Sequence, residues 1–379
     1  MSETLRTDPA RLPGFIENSP ILSRIGSAAG DERVYLAGGA VRDVLLGQVP
    51  LDLDLVIEAD PASLGLKVDR RAVIHERFQT AEAVVSGTRV HIARARTERY
   101  PAPGALPVVS PATLGEDLGR RDFTINALAV ALDQPEALID PHGGRDDLER
   151  GVLRILHEDS FRDDPTRALR AARYAARFGY DLAPATADLL AGTDLGTVSR
   201  DRVEAELELI AEEPTAVEAL RLASVWGLIE LPKGNLDLAE EALSLGREPA
   251  WAGLAERGEV ILAAIRFDRE RVLGELGEDP HSPSSGAALA GGLTGTDLLL
   301  ARAAGVRWLD RYMAEWRDVE LEITGADLLA AGVAEGPAIG AGIEAALNAK
   351  LDHGVSGAEE ELKIALGAAG AAGGGNRPV

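Results

Sequence analysis

Every stretch of this 379-residue chain that reads as a β-strand lies before about Leu153, and the remainder follows a helical period. The strand runs are Val34-Tyr35-Leu36, then Leu51 to Ile57, Ala83 to Val85, Val90 to Ala93 and a last one near Ala137 to Ile139. Alternation of apolar and polar residues marks a half-buried strand, whereas apolar residues recurring every three or four mark a helix. Residues 8–29 read as a helical lead-in on Leu12, Phe15, Ile16 and Ile21, and residues 40–46 as a short helix behind Gly38-Gly39. The stretch Tyr100 to Ser110 carries three prolines and a glycine, which predicts a loop. An α/β head followed by an all-helical remainder results, and a chain of this length divides into two or more domains.

Composition narrows the chemistry. The chain has no cysteine, which excludes disulfides and Cys-ligated zinc. No run approaches the roughly 20 apolar residues that a membrane-spanning helix needs. Met1 to Pro9 has mixed charge and lacks the apolar stretch of a signal peptide, so a cytoplasmic location and no membrane partner are expected. Gly367 to Val379, rich in Gly and Ala, is expected to fray. A net charge of −23 opposes general nucleic-acid binding, so any phosphate contact must be confined to one cleft. Only four of the 39 Lys and Arg residues are lysine, and arginine suits bidentate recognition of phosphates and bases.

Four clusters carry candidate chemistry. Asp52 and Asp54 stand two apart in a predicted strand, so both carboxylates project from one face. Two such groups repel unless a cation lies between them, and hard oxygen ligands suit Mg²⁺; alone, the pair is a weak signal and reads more plainly as a solvated strand edge. Gly38-Gly39-Ala40-Val41-Arg42-Asp43 forms a strand-to-helix turn where a phosphate could approach the backbone, with Arg42 adding a positive charge. Arg120 and Arg121 read as opening a helical run, where cations oppose the helix dipole; for Arg120, compensation by Glu116 and Asp117 is the plainer account. Asp164-Pro165 reads as an N-cap with proline at the first helical position. Arg167, Arg170, Arg173 and Arg177 then make a ridge of like charges that calls for an anion, a triphosphate or RNA backbone.

With these motifs in order, LAGGAVRDVLLG, LDLDLV, RRDFTINALA and DDPTRALRAARYAARFG, supported by DPHGGRDDLERGVLRIL, the chain resembles the class II tRNA nucleotidyltransferase family, which includes CCA-adding enzymes and bacterial poly(A) polymerases. The likeness runs from about residue 33 to 180, with a looser match at residues 323–343. It implies an α+β fold: an N-terminal polymerase-β-like nucleotidyltransferase head with a small mixed sheet (1–150), then an all-α neck carrying the base-reading motif (151–215), body (216–310) and tail (311–379). It further implies template-independent addition of C and/or A from CTP or ATP to the 3′ end of tRNA, with two Mg²⁺ ions on Asp52 and Asp54. Gly39, Arg42 and Arg121 would contact the nucleotide, Arg170 and Arg173 its phosphates or ribose, and Asp164 with Arg167 its base. Cytosine and adenine each present an amino donor beside a ring-nitrogen acceptor, which suits a carboxylate beside a guanidinium; guanine and uracil present the reverse. The helices after about residue 216 would hold tRNA by shape and backbone contacts.

The chain departs from the family pattern at His91, where a carboxylate is expected. His91 could serve as a base, Glu98 could substitute, or the histidine could be packed in the sheet. The other histidines form no metal-ligand spacing. A poly(A) polymerase and a catalytically impaired RNA-binding or nucleotide-sensing protein are the alternative readings. The residues do not distinguish a C-, CC-, A- or CCA-adding product.

Overall fold

The computed structural model describes residues 7–373. Met1 to Arg6 of the expected leaderless start, and Asn376 to Val379 with their neighbours from 374, lie outside the described residues. None of the described helices is long and apolar enough to cross a membrane. The chain forms two compact units that divide between Glu230 and Leu231.

The first unit opens with α1 (Arg11–Glu17) and α2 (Pro20–Ala29), separated where Ser19 caps α2 by accepting from Leu22 N at 3.3 Å. Proline at the first position of α2 loses no intrahelical bond there. β1 (Val34–Ala37) then runs through Gly38 into α3 (Gly39–Leu45) and back along β2 (Leu53–Ile57). After α4 (Pro61–Val68) follow β3 (Val73–His75), β4 (Thr80–Val85), β5 (Thr88–Arg94), β6 (Arg96–Arg99), β7 (Val108–Pro111), α5 (Leu114–Gly119), β8 (Ala129–Ala131) and β9 (Leu138–Ile139). Seven strands form one sheet in the order β3-β4-β5-β2-β1-β8-β9, mixed because β2 and β5 alone pair in parallel. The expected α+β class with a small mixed sheet is what the chain adopts.

Several elements differ from the sequence reading. β8 was expected within a helical run, yet its three residues are wholly enclosed between β1 and β9, and a fully buried strand shows no alternation. β3 is an edge strand of three residues, too short for Val73 and Ile74 to show a period. Val108 to Ser110 belong to β7, paired with β6, so the loop between them is shorter than expected. Past α6 (Gly144–Arg150), β10 (Val152–Leu153) pairs with β11 (Asp181–Leu182), two residues each, too short to leave a period. Between them lie α7 (Ser160–Asp163) and α8 (Thr166–Phe178), and α9 (Pro184–Leu190), α10 (Arg200–Glu212) and α11 (Ala216–Val225) complete the unit.

Two polar frameworks fix the segment from 114 to 154. Asp117, fully enclosed, accepts from Arg120 Nη2 at 2.6 Å and Arg121 Nη2 at 3.0 Å, while Glu98 accepts from Arg120 Nη1 at 2.8 Å and Arg96 Nη2 at 3.1 Å. Burial alone would raise the Asp117 carboxyl, but Arg121 and Arg120 outweigh it and hold it below its ordinary value. Glu98, buried beside Arg120, Tyr100 and Arg96, is held low in the same way. The second framework is the DPHGGRDDLERGVLRIL segment. Asp140 accepts from Gly144 N and Arg145 N, and Asp147 grips Thr124 Oγ1 at 2.7 Å and Arg154 Nε at 3.0 Å. Gly144 lies so close to the Thr124 turn that a Cβ there would come within 2.1 Å of the Thr124 carbonyl oxygen.

The second unit is helical throughout; among the described residues no strand follows Leu182. Asn235 Nδ2 donates to Ala264 O at 2.8 Å and Phe267 O at 3.0 Å, tying the helix Asn235–Leu245 to the end of Arg257–Ala264. The helices Pro337–His353 and Ala358–Gly373 pack closely because Gly342 faces the Ala365 carbonyl, where a Cβ would lie at 2.7 Å. Gly367 to Gly373, expected to fray, continue that last helix, which good helix formers and Ala365 and Ala369 packing sustain.

Gly144→Ala is expected to cost on the order of 2 kcal/mol, because backbone must move, and denaturant titration of the purified protein measures it. Asp117→Ala, which strands two guanidiniums, should cost about 3–5 kcal/mol by the same assay. The folded-state values of Asp117 and Glu98 lie below the ordinary 3.8 and 4.5, so their stabilisation is complete above those values. It is lost as pH falls through the depressed values, and a melting temperature that stayed level from pH 5 to pH 2 would contradict this.

Candidate functional site

Gly38 leaves β1 with φ +71°, a conformation that favours glycine, and its Cα faces the Arg121 guanidinium, where a Cβ would lie 2.6 Å from Nη1. The turn therefore brings the start of α3 against the arginine pair. β2 lies beside β1 in antiparallel register, which returns the acidic pair to the same end of the sheet. Asp52 falls in a bend just before β2 rather than within the strand, because the turn from α3 is still unwinding at Leu51. The two side chains are nevertheless not separated: Asp52 and Asp54 both line a cavity of about 570 Å³ together with Gly39, Arg42 and Arg173. A neighbouring cavity of about 500 Å³ shares Gly39, Arg42, Asp54, Arg173 and Arg177 as a wall and adds His91, Arg121, Asp164, Arg167 and Arg170.

Asp54 is open to solvent at the mouth of this basin, yet protein crowds it on the remaining sides. That desolvation raises its carboxyl above the ordinary value; Arg121, His91 and Arg42 pull it down, and the like charge of Asp52 pushes it up. A carboxylate pair that feels its own repulsion is suited to a divalent cation taking its other ligands from phosphate and water. Among the described residues, no group of three or more His, Asp or Glu is arranged to hold a metal. Glu98 does not substitute, since Arg96, Arg120 and Tyr100 occupy its oxygens. His91 is not packed away in the sheet: β5 pairs with β2 so that His91 stands opposite Asp54, on the same face, and it lines the cavity of about 500 Å³.

Arg120 and Arg121 do not open a helix. Arg120 is the C-cap of α5, where positive charge complements the dipole, and Thr124–Asn126 is a separate 3₁₀ turn. Glu116 is engaged in a capping box with Thr113, so Asp117 and Glu98 meet Arg120 instead. Arg42 is buried and already held: Nε and Nη2 bond Asp43 Oδ1 at 2.8 and 2.7 Å, Nη1 bonds Asn126 Oδ1 at 2.5 Å, and Phe178 lies 4.9 Å below its plane. Its contribution is a fixed field rather than a free arm.

The arginine ridge on α8 is partly answered from within the chain. Arg170 meets Asp122 at 3.4 Å and Glu206 at 3.5 Å, Arg173 meets Glu206 and Glu213 at 3.6 Å, and Arg177 meets Glu213 at 3.5 Å and Asp43 at 3.8 Å. An external anion is thus not required by repulsion alone. These pairs are long, however, and the buried Nε atoms of Arg167, Arg170 and Arg173 have no hydrogen-bond partner among the described residues. Donors left so are unusual in a buried setting and point to an absent acceptor. Arg167 reaches Ser160 Oγ at 2.7 Å and the Arg120 carbonyl at 2.8 Å. α8 begins one residue later than expected, with Pro165 rather than Asp164 at its N-cap; Asp164 stands just before it and accepts from Thr166 N at 3.1 Å.

The cavity also holds residues that the sequence reading left unweighed. Asp122 and Asn126 stand inside RRDFTINALA and could have been found there; Asp122 accepts from Asn126 Nδ2 at 3.0 Å, which orients the Asn126 oxygen toward Arg42. Arg202 lines the cavity from α10, and Glu206 on the same helix stands behind Arg170 and Arg173; the sequence of α10 shows an ordinary charged helix, so only the tertiary fold could reveal them.

Comparison with known proteins identifies the family. The Poly A polymerase head domain family matches residues 34–154. A CC-adding tRNA nucleotidyltransferase of Deinococcus radiodurans is 36% identical over 365 residues, covering 90% of this chain and 91% of that relative. An A-adding tRNA nucleotidyltransferase of Halalkalibacterium halodurans is 39% identical over 234 residues, which span 58% of this chain and 53% of the relative. Among solved structures, a CCA-adding enzyme in complex with CTP superposes with a TM-score of 0.76 at 26% identity, covering 97% of this chain and 99% of that one. The Thermotoga maritima CCA-adding enzyme complexed with tRNA gives 0.71 at 25% identity, with 97% and 99% covered. Ordered motifs, a shared mixed-sheet head and a near full-length relative together place this chain in the class II tRNA nucleotidyltransferase family.

Proposed function

We propose that this protein adds C, A or both to the 3′ end of tRNA, taking the nucleotide from CTP or ATP and releasing pyrophosphate. The observation that carries the reading is a pair of adjoining cavities with a common wall of Gly39, Arg42, Asp54, Arg173 and Arg177: Asp52 opens onto one of them, and Gly38, Arg167 and Arg170 onto the other. The tRNA 3′-oxygen would attack the α-phosphorus while the bond to the β-phosphate breaks. Asp52 and Asp54 would hold the metal, and hard carboxylate oxygens favour Mg²⁺. When bound, a pair of such ions supplies Lewis acidity at the attacking hydroxyl and at the departing phosphates. Arg121, Arg170 and Arg173 present fixed positive charge to the triphosphate, with Gly39 allowing close approach and Arg42 holding the turn in place.

Asp164 and Arg167 are assigned the base. Their side chains line the same cavity as His91 and Arg121, one just before α8 and one in its first turn, so an incoming cytosine or adenine edge would meet an acceptor beside a donor. A wrong base would leave buried polar groups unpaired, which can discriminate by about 10⁴-fold. We assign residues 1–150 as head, 151–215 as neck, 216–310 as body and 311–379 as tail, with the helices beyond residue 216 gripping tRNA in the cytoplasm.

Offering the purified protein three tRNAs, ending before CCA, after the first C and after CC, with CTP and ATP supplied separately, sizes the product directly. Asp52→Ala and Asp54→Ala should each lower incorporation by about 10³-fold or more while tRNA affinity and melting temperature hold. Retained incorporation in either variant would remove the metal assignment. In a chain of net charge −23, tRNA contacts must be local ion pairs, so affinity should fall at least about tenfold between 50 and 200 mM salt. Filter binding across that range tests it, and a flat response would reject backbone contacts as the source of affinity.

A further inference from the structure

Asp164 is held unevenly. Its Oδ1 accepts from Thr166 N at 3.1 Å, Thr166 Oγ1 at 2.6 Å and Arg202 Nη2 at 2.9 Å. Its Oδ2 meets only Arg170 Nη2, at a marginal 3.5 Å, among the described residues. One oxygen is saturated, and the other is left for a donor arriving in the cavity that Asp164 lines.

The second arm of Arg202 reaches elsewhere. Nη1 donates to the carbonyl of Gly104 at 2.8 Å, in the loop between β6 and β7. Gly104 N in turn donates to the Arg162 carbonyl at 3.2 Å, just before Asp164 in the chain. Gly104 has φ +68°, and a Cβ on it would lie 2.4 Å from the Thr197 carbonyl oxygen. The loop is thus seated against the neck by contacts that only glycine permits, and a single guanidinium spans from that seat to the base-facing carboxylate.

We propose that Arg202 is a specificity-determining positioning residue, which makes the orientation of the Asp164 carboxylate depend on the seating of the β6–β7 loop at Gly104. The proposal deepens the reading of Asp164 as the base-contacting carboxylate and rests on it. A planar guanidinium fixes the angle between two acceptors, which an ammonium cannot do. With the loop seated, Oδ1 is pinned and Oδ2 is presented to an amino group such as that of cytosine or adenine. With the loop lifted, Arg202 loses one acceptor and can tilt, and the carboxylate tilts with it. Rejection of uracil and guanine is then only as sharp as the carboxylate is fixed, since a carboxylate free to rotate no longer forces a carbonyl to face an acceptor.

The test uses the full chain with tRNA lacking its 3′-terminal nucleotides, and measures kcat and KM for CTP, ATP, UTP and GTP separately. Arg202→Lys, Gly104→Ala and the double variant are compared with Asp164→Ala, and melting temperatures are recorded for each. Arg202→Lys and Gly104→Ala should each raise KM for the preferred nucleotide about tenfold, with kcat changed less than about threefold, and weaken its preference over UTP at least about tenfold. The double variant should be no less selective than the worse single one, as for two groups acting as a unit. If Asp164→Ala relaxes base choice while both other single variants keep it, the coupling is wrong and the role of Asp164 survives. If Asp164→Ala itself keeps base choice, the underlying reading fails. Losses uniform across nucleotides that follow a lowered melting temperature would make Arg202 merely structural, and selectivity losses that multiply in the double variant would show the two residues to be independent; either overturns the proposal.

Discussion

A guanidinium can be enclosed by protein only if a carboxylate or carbonyl meets it, and the architecture of the first unit follows from satisfying that condition many times in a small volume. Asp117 and Glu98 hold Arg120 and Arg121, Asp43 and Asn126 hold Arg42, and Asp122, Glu206 and Glu213 hold the α8 ridge. Burial opposes the charge on Arg170, yet Asp122 and Glu206 outweigh it and raise its proton affinity, so it stays charged at any working pH. The chain as a whole is strongly acidic, and part of that acidity is spent here, in keeping a positive field in one basin without collapse or repulsion.

That field is useful because the sheet brings the opposite sign to its rim. β1 and β2 are neighbours, so the glycine turn at one end of β1 and the acidic pair at the start of β2 meet without any long-range adjustment. β5 adds His91 beside Asp54 by simple register. The arginines arrive from a different layer, on α8, whose apolar face of Ala168, Leu169, Ala171, Ala172 and Ala175 is buried. Small alanines on that face let the helix approach closely enough for its opposite flank to line the basin.

Much of this was legible in the order of the residues. The glycine pair, the alternating Leu-Asp run and the arginines at three- and four-residue spacing each carry a local signal, and they line two cavities that share a wall. What could not be read locally was set by tertiary surroundings. Asp52 slips out of the strand because the preceding turn decides where pairing begins. β8 is hidden by its complete burial, and the arginine pair ends a helix instead of starting one because Thr113 and Glu116 had already fixed where α5 begins. Arg202 sits in a helix whose sequence looks like any solvated one, 38 residues from its partner.

The two-residue ladder of β10 and β11 has a mechanical meaning. Val152 and Leu153 pair with Asp181 and Leu182, so the chain enters and leaves the α7–α8 segment at the same point. That segment is a closed loop clamped at its base, not a lever hinged at one end. Swinging α8 as a rigid rod would tear both ladder pairs and pull Phe178 and Tyr180 from their contact. Side chains on α8 and the loop between β6 and β7 can shift without breaking that ladder, whereas the helix can move only together with both strands of its clamp.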